Sequence, residues 1–362
     1  MTKVSSSSLK RPWSSSDLQG YNGPRSRPQI RGSPGLMLFQ KDGSYALYNP
    51  KEGKIERNLG DFSGSRLLAN SGNCVLLLDS GSNLYIKDVF SEKTISLPSL
   101  DSIMPCTSSV KRVEDRGFIR KDSDCTFTGL TCDDVRGLLW VSESGKEYVV
   151  VWFFDRPGHP YISFCRKGDT HYTDISLFFR DSHWLDGLSF MVVKGYRLYI
   201  STNRRYVRIL DLSGEQGTFK DITGFKPFSM LSDHDLWDSS IAVTTSGELL
   251  LVESDPCDRS CFRVYKNNPD IQDPFSSSYS LLDVDSLGGE ALLLDLGITV
   301  PANPTLGIEP DSIYFTRHCR PCQCTPRDLD ICVFNLATKT LQRFPHLSDM
   351  NLMDARWFLP RN

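Results

Sequence analysis

From Leu36 to Leu359 the chain alternates short apolar runs with clusters of turn residues. The runs are four to eight residues long, as in LMLF, YALYN, CVLLLD and SIYFT, and Gly, Asn, Asp, Ser or Pro bounds them. Runs of this length between tight turns are typical of successive antiparallel strands. Short helices are predicted only around Asp174–Phe179 and Ser229–Trp237. The pattern therefore predicts an all-β protein.

A unit of two strands recurs along the chain. Asp88–Pro98 and Cys332–Pro345 both place a strand ending in Val-Phe before a polar Lys-Thr turn and a second strand, and Tyr206–Ser213 is a weaker copy. Repetition of small sheets at about 40–50 residues per unit indicates a β-propeller. We predict six or seven blades, with six favoured, closed by pairing of Leu36–Phe39 with Arg356–Leu359. A β-sandwich is the alternative architecture.

The first 34 residues have a different composition. They contain nine Ser and four Pro and few apolar residues, so they cannot bury enough surface to offset the entropy lost on ordering. We predict a disordered tail over residues 1–34 and one domain over residues 35–362. A segment rich in Ser and Arg and poor in acids also has the composition of an organellar transit peptide, although its prolines interrupt any helix.

The charge distribution argues against a nucleic-acid partner. Residues 1–35 hold six basic side chains and one acidic side chain, which leaves 35 basic and 43 acidic side chains in the remainder. An acidic body cannot neutralise phosphates over a wide surface. No apolar run reaches 18 residues, so neither a membrane span nor a membrane partner is predicted.

The cysteine count bears on the cellular compartment. Eleven cysteines is an odd number, and no secretory signal precedes them, which indicates reduced thiols inside the cell. The nucleus or cytoplasm is the expected location, with a mitochondrion or chloroplast as the alternative if the tail is a transit peptide.

The sequence contains no enzyme signature. The GxSxG, HExxH, Walker and GxGxxG patterns are absent. His183, next to Trp184, and His234, between two aspartates, are the first candidates for acid–base chemistry, but neither has a nucleophile motif beside it. We therefore predict a non-enzymatic protein without a cofactor. Gly288–Gly289 is interpreted as a turn that needs positive φ.

One cluster has the composition of a zinc site. Cysteine thiolates and a histidine imidazole are ligands that Zn²⁺ prefers. A second pair, Cys257 and Cys261, has a different spacing and lies some sixty residues away. A polar loop between two strands is the preferred interpretation, and a metal site is only a weak candidate. The cluster consists of His318, Cys319, Cys322 and Cys324.

Several separate motifs, in order, resemble the plant F-box-associated KIB-type β-propeller family, known as domain of unknown function 295. Gly35–Gly53 and Ser63–Leu100 resemble its first blades, and the later motifs are DSLGGEALLLD, DSIYFTRH, DICVFNLATKTLQRFPHL and DARWFLP. The resemblance covers roughly residues 35–360. It implies a propeller that holds a protein substrate for a cullin ubiquitin ligase.

The resemblance ends in front of the propeller. Typical members carry a helical F-box there, which docks on the Skp adaptor, whereas residues 1–34 contain no LPxxLL-like, ILxxL-like or VCxxW-like pattern. We therefore expect a protein-interaction module without its own F-box and an as yet unidentified protein partner, with direct binding to Skp doubtful. An organelle-targeted family member with a cleaved tail is the alternative function.

Binding is expected on loops that a rigid ring holds in place. Aromatic residues are frequent anchors at protein interfaces, and Trp237 is instead assigned to the core. The longer insertions are Met104–Thr128, His159–Asp186, Asp255–Asp273 and Arg317–Arg327. The candidate contact residues are Trp184, Phe225 and Phe228.

Overall fold

The computed structural model shows an all-β propeller with six blades in its described part. The described residues are 34–40, 44–62, 64–104, 109–113, 116–121, 126–156, 161–177, 188–202, 207–222, 237–255, 259–268, 281–317, 330–343, 347 and 352–360. Most of the predicted tail, residues 1–33, lies outside them. The strands are numbered β1–β29 in chain order.

The first three blades are antiparallel sheets built largely from consecutive strands. Blade 1 contains β29 (Leu352–Phe358), β1 (Gly35–Gln40), β2 (Ser44–Asn49) and β3 (Lys54–Asp61). Blade 2 contains β4 (Ser65–Ser71), β5 (Cys74–Asp79), β6 (Leu84–Asp88) and β7 (Thr94–Ser96). Blade 3 contains β12 (Val135–Val141), β13 (Tyr148–Phe154), β14 (Tyr161–Arg166) and β15 (Tyr172–Ser176).

Blades 4, 5 and 6 complete the ring, and blades 5 and 6 share one continuous sheet. Blade 4 contains β16 (Leu188–Lys194), β17 (Arg197–Thr202), β18 (Val207–Asp211) and β19 (Lys220–Asp221). Blade 5 contains β20 (Asp238–Val243), β21 (Leu249–Ser254), β22 (Phe262–Asn267) and β23 (Leu281–Asp283). Blade 6 contains β24 (Glu290–Leu293), β25 (Ile298–Pro301), β26 (Ser312–Arg317), β27 (Asp330–Asn335) and β28 (Thr340–Arg343).

An insertion separates blade 2 from blade 3. The two-residue strand β8 (Ile103–Met104) pairs in parallel with β15 and extends blade 3 at its outer edge. A three-stranded antiparallel sheet then follows, which we call the meander. It consists of β9 (Ser109–Val113), β10 (Gly117–Lys121) and β11 (Thr126–Thr131).

The last strand closes the ring by pairing with the first. In the antiparallel pair β1–β29, Leu36 lies opposite Trp357 and Leu38 lies opposite Ala355. All four residues are fully buried, so the pairing is buried as well as hydrogen-bonded. This confirms the predicted closure of Leu36–Phe39 with Arg356–Leu359.

Contacts join neighbouring blades around the whole ring, which rules out the sandwich. Apolar clusters fill the spaces between blades 2 and 3, 3 and 4, 4 and 5, 5 and 6, and 6 and 1. The Tyr45 hydroxyl of blade 1 donates to the Ser65 carbonyl of blade 2 at 3.3 Å. Near the inner strands the contacting pairs are Asn70 with Trp357, Ser71 with Val141, Glu147 with Tyr196, Lys194 with Thr244, Val243 with Gly297, and Tyr314 with Trp357.

This ring explains why many strands are apolar along their length. A neighbouring blade covers each face of a sheet, so successive residues are buried even though their side chains point to opposite sides. Four successive residues are buried in the middle of β5, and five successive residues in β13. The outer strand β7 has no such cover, and all three of its residues are exposed.

The repeated two-strand unit has one structural meaning. Its copies all lie in the outer part of a blade. Cys332–Pro345 contains the end of β27 and all of β28, Asp88–Pro98 runs from the last residue of β6 through β7, and Tyr206–Ser213 contains β18. Gly288 and Gly289 have φ of 65° and 85°, as their turn assignment requires.

Two predictions about local structure were wrong. The helix expected at Asp174–Phe179 is absent from its described residues, because Ile175 pairs with Ile162 in the ladder between β14 and β15. The expected helix at Ser229–Trp237 lies outside the described residues except for Trp237. Insertions expected to carry loops also contain strands that were not predicted: β9 and β10 lie in Met104–Thr128, and β15 lies in His159–Asp186.

Gly297 permits the close junction between blades 5 and 6. Its φ is +64°, and its carbonyl accepts a hydrogen bond from the Val243 amide at 2.8 Å. A Cβ at this position would lie 2.3 Å from Val192 Cγ2 and 3.2 Å from the Ile241 carbonyl oxygen. Only glycine satisfies both the backbone conformation and the space.

We expect Gly297→Ala to destabilise the propeller by more than Gly145→Ala. Gly145 has a similar φ of +68°, but a Cβ there would meet nothing within 4 Å, so the control isolates the conformational cost of about 1 kcal/mol. The difference in free energy of unfolding, measured by urea denaturation, reports the steric clash. Equal losses in the two variants would contradict this account of the junction.

Candidate functional site

One side of the ring carries the starts of the inner strands β29, β4, β12, β16 and β20, and we call this side the entry face. Ser65 begins β4 and lies opposite Asp79 at the end of β5, so the turn between β5 and β6 is also on the entry face. The meander belongs to the connection that leads to the start of β12. Connections held by a rigid scaffold are the common positions of binding sites.

A cleft of about 360 Å³ opens on the entry face between blade 1, blade 2 and the meander. The rings of Phe39 and Tyr45 form part of its wall and meet edge to face, with 4.7 Å between their centroids. Apolar walls with a few charged groups are typical of sites that bind organic ligands or side chains. The aromatic and charged lining residues are Phe39, Tyr45, Arg66, Asp79, Arg116 and Asp354.

Arg66 joins blade 2 to the turn at which the meander returns to the ring. Its Nη2 donates to the carbonyls of Cys132 and Val135, both at 2.5 Å, and its Nη1 donates to the Asp133 carbonyl at 2.8 Å. Burial lowers the pKa of Arg66, and the neighbouring charge of Arg136 lowers it further. An arginine remains charged despite such a shift, so a cation stands at the wall of the cleft.

Two further arginines lie beside this turn and the cleft. Arg116 Nη2 contacts Asp133 Oδ1 at 2.8 Å, and both side chains are largely exposed, at 64% and 72%. Arg112 donates to the main-chain carbonyls of Gly81 and Ser82, the latter at 3.1 Å. Exposed ion pairs contribute about 0–1 kcal/mol, so Arg116 can exchange its partner at little cost.

The two carboxylates of the cleft have local partners. Asp354 Oδ2 lies 3.2 Å from Arg356 Nε. Asp79 Oδ1 accepts a hydrogen bond from the Asn83 amide at 2.8 Å, and the Asn83 side chain donates to both carboxylate oxygens. The lining therefore contains charges of both signs. Asp354 is paired with the cation Arg356, whereas Asp79 is held by the neutral Asn83.

A buried ion pair fastens the meander to blade 3. Arg120 contacts the Asp174 carboxylate, and the exposed fractions of the two side chains are 1% and 2%. Ser163 Oγ donates to Asp174 Oδ1 at 2.6 Å, and the Arg120 guanidinium lies 4.1 Å from the centroid of the Tyr161 ring. Removal of one partner from such a pair leaves an uncompensated buried charge. The meander thus forms a fixed wall of the cleft.

Asp295 follows β24 and is an acidic group whose pKa is strongly perturbed. Its Oδ2 accepts hydrogen bonds from Thr316 N at 3.0 Å and Thr316 Oγ1 at 2.9 Å. Removal from water is the largest effect and raises the pKa to about 6, against the opposing hydrogen bonds and the charges of Arg259 and Arg356. Asp295 therefore loses its proton at a higher pH than an ordinary aspartate does.

The described groups around the cleft suit non-covalent binding. Cys132 is buried and its Sγ lies 2.7 Å from Ser82 Oγ. Elsewhere, burial raises the pKa of the Cys165 thiol, which disfavours a reactive thiolate. Within the described ranges no group of three His, Cys, Asp or Glu side chains is placed to hold a metal ion.

The residues that the sequence singled out are mostly not among those at the cleft. Trp237 is half-buried rather than a core residue, and the Arg263 guanidinium lies 4.7 Å from its ring centroid. Cys261 is exposed. The residues that lie outside the described part of the chain are His183, His234, Cys257, Trp184, Phe225, Phe228, His318, Cys319, Cys322 and Cys324.

Sequence reasoning missed the arginines of the cleft. Arg66 and Arg116 carry no motif, and a single arginine near a turn usually lies in solvent. The available signal was position, since Arg66 directly follows the Gly64–Ser65 turn at the start of an apolar strand. Which turns meet depends on the ring, so this signal alone could not have paired the two residues.

Comparisons with known proteins agree on one family. The family model described as KIB1-4 β-propeller matches residues 44–335. F-box protein At5g25290 of Arabidopsis thaliana is 45% identical over 346 residues, which cover 91% of this chain and 85% of the relative. F-box protein At2g14290 is 46% identical over 92% of this chain and 86% of its own length. F-box protein KIB4 is 33% identical over 84% and 76% of the two chains. Both are also from Arabidopsis thaliana.

Among solved structures, the β-propeller domain of Cps50 (Swd1) from Myceliophteria thermophila covers 88% of this chain and 88% of its own. Its sequence identity is 10% and its TM-score is 0.35, a likeness too distant to inform function. Nowhere in the described part of the chain is a helix long and apolar enough to span a membrane.

Asp295→Asn should change how stability depends on pH. The folded-state pKa of about 6 exceeds the ordinary 3.8, so the neutral acid stabilises the fold at low pH, and this contribution is lost as the pH rises through about 6. Asparagine stays neutral throughout. Relative to the unchanged protein, the variant should therefore gain about 2 kcal/mol between about pH 4.5 and about pH 7.5.

Urea denaturation at both pH values measures this gain as a difference in free energy of unfolding. Asp285→Asn, at a carboxyl that is 84% exposed, is the control for removal of a surface charge. A pH-independent difference between Asp295→Asn and the unchanged protein would contradict the assignment.

Proposed function

Because this chain belongs to the plant KIB1-4 β-propeller family, we propose that it is a non-enzymatic protein-binding module that holds a partner polypeptide at the entry-face cleft. The relatives are named F-box proteins, which is consistent with a propeller that selects protein partners. The role proposed for this chain is that of a ubiquitin-ligase-related recognition propeller.

The cleft is the observation that carries the proposal. It combines buried aromatic walls, Phe39 and Tyr45, with the arginines Arg66 and Arg116. Aromatic and arginine side chains are enriched at the energetically dominant positions of interfaces. The sheets of blades 1 and 2 and the anchored meander surround the cleft, so little ordering entropy is lost when a partner binds.

Filling the cleft should weaken partner binding without unfolding the ring. Ser80 lines the cleft and is exposed, so Ser80→Trp adds bulk where a partner side chain would lie. We expect at least about tenfold weaker recovery of partners, measured by proximity labelling with the full chain in plant cells. The labelling also reports the compartment, which we propose to be the nucleus and cytoplasm rather than an organelle.

Ser144→Trp is the matched control, because Ser144 is an exposed serine in the hairpin between β12 and β13. That hairpin lies at the ends of inner strands, on the side opposite the entry face. Partners lost equally from both variants, or retained by both, would refute the cleft as the binding site.

We further propose that residues 1–34 do not dock on the Skp adaptor, since they contain no F-box pattern. In a pull-down with purified Skp adaptor, this chain should be retained no better than a bare-resin control. A family member with an F-box serves as the positive control. Stoichiometric, direct retention of this chain would overturn the proposal while leaving the cleft untouched.

A further inference from the structure

A second depression lies over blade 2, next to the cleft. This depression has a volume of about 560 Å³, and Asp79 lines both cavities. Its other lining residues come from β6, from the exposed outer strand β7 and from the segment after β7, and several carry hydroxyl groups, including Tyr85, Thr94 and Ser96. We call these two adjoining cavities together the groove.

Arg66 and Arg112, at and beside the cleft, contact main-chain carbonyls rather than carboxylates. Arg66 contacts three main-chain carbonyls and Arg112 contacts two. Among the described residues neither guanidinium forms an ion pair with an acidic side chain. Arg116 has an acidic partner, Asp133, but both are exposed to water. An acidic side chain of a partner can therefore approach Arg66 without displacing a carboxylate, and can replace Asp133 beside Arg116 at little cost.

The acidic groups of the groove do not cancel this charge. Asp354 is already paired with Arg356. Asp79 accepts hydrogen bonds from the main-chain N–H and the side-chain amide of Asn83. Both carboxylates of the cleft are thus already held by neighbouring groups, whereas Arg66 contacts main-chain carbonyls.

We propose that the groove takes an extended peptide segment of the partner and that Arg66 and Arg116 bind an internal Asp or Glu side chain of that segment. The inference rests on the proposed function, since it names the chemistry of the partner at the same cleft. Arginine guanidinium groups bind carboxylates with paired, charge-assisted hydrogen bonds. The hydroxyl-rich second depression holds the neighbouring residues of the segment.

Selection from a displayed library of random peptides tests the inference. The full chain is immobilised and peptides of about 10 residues, roughly 33 Å when extended, are selected for binding. We expect Asp or Glu to be enriched at one internal position. In the strongest peptide, replacement of that acid by Asn or Gln should weaken binding about tenfold, as measured by fluorescence anisotropy.

Arg116→Glu provides the reciprocal test, because an exposed side chain can be replaced without loss of packing. Peptides selected for binding to this variant should be enriched in Lys or Arg at the same position. Synthetic peptides with free and amidated C-termini should bind equally, which separates a side-chain carboxylate from a terminal one. Dependence on the free terminus would overturn the inference as stated.

The remaining outcomes separate this inference from the proposed function. Peptides that Ser80→Trp excludes, but that show no preference for acids, would overturn the inference and leave the cleft as a protein-binding site. Peptides that bind Ser80→Trp and the unchanged protein equally would overturn the inference. The recovery of partners by Ser80→Trp in plant cells then tests the proposed function separately. Failure to enrich any peptide would also overturn it.

Discussion

Antiparallel pairing between β29 and β1 is the constraint on which the rest of the ring depends. β29 occupies the innermost position of blade 1, next to β4 of blade 2 and β26 of blade 6. Without this pairing, β29 and its fully buried Trp357 would not be part of the blade 1 sheet. Blades 2 and 6 would then each lose the strand that packs beside them. Because every blade is covered by the blades beside it, opening the ring at one point exposes apolar faces on both sides of the gap.

The ring also determines where a partner can bind. Inner strands that begin on one side bring together turns that are far apart in the chain, such as Gly64–Ser65, Asp79–Asn83 and the turn Cys132–Val135. Arg66 then links blade 2 to the turn after the meander by hydrogen bonds to three main-chain carbonyls. The cleft is therefore a consequence of closure and of one insertion, rather than of any single motif.

Two features make the ring and the wall of the cleft rigid. The Arg120–Asp174 pair holds the meander in place, and its burial makes any other arrangement of the two charges costly. On the far side of the ring, the continuous sheet of blades 5 and 6 joins neighbouring inner strands directly, and Gly297 permits the close approach. A preformed site of this kind favours binding of a flexible segment, since only the partner loses conformational freedom.

The sequence by itself determined the fold class, the family and the closure of the ring. Strand-length apolar runs and tight turns left few alternatives, and the apolar ends at Leu36–Phe39 and Arg356–Leu359 had to be buried together. It did not determine the strands within Met104–Thr128 or at Asp174–Ile175, because the pairing of short polar strands depends on neighbours distant in the chain. Only the tertiary structure brought Arg66 beside Arg116, since that proximity arises from the ring and not from spacing along the chain.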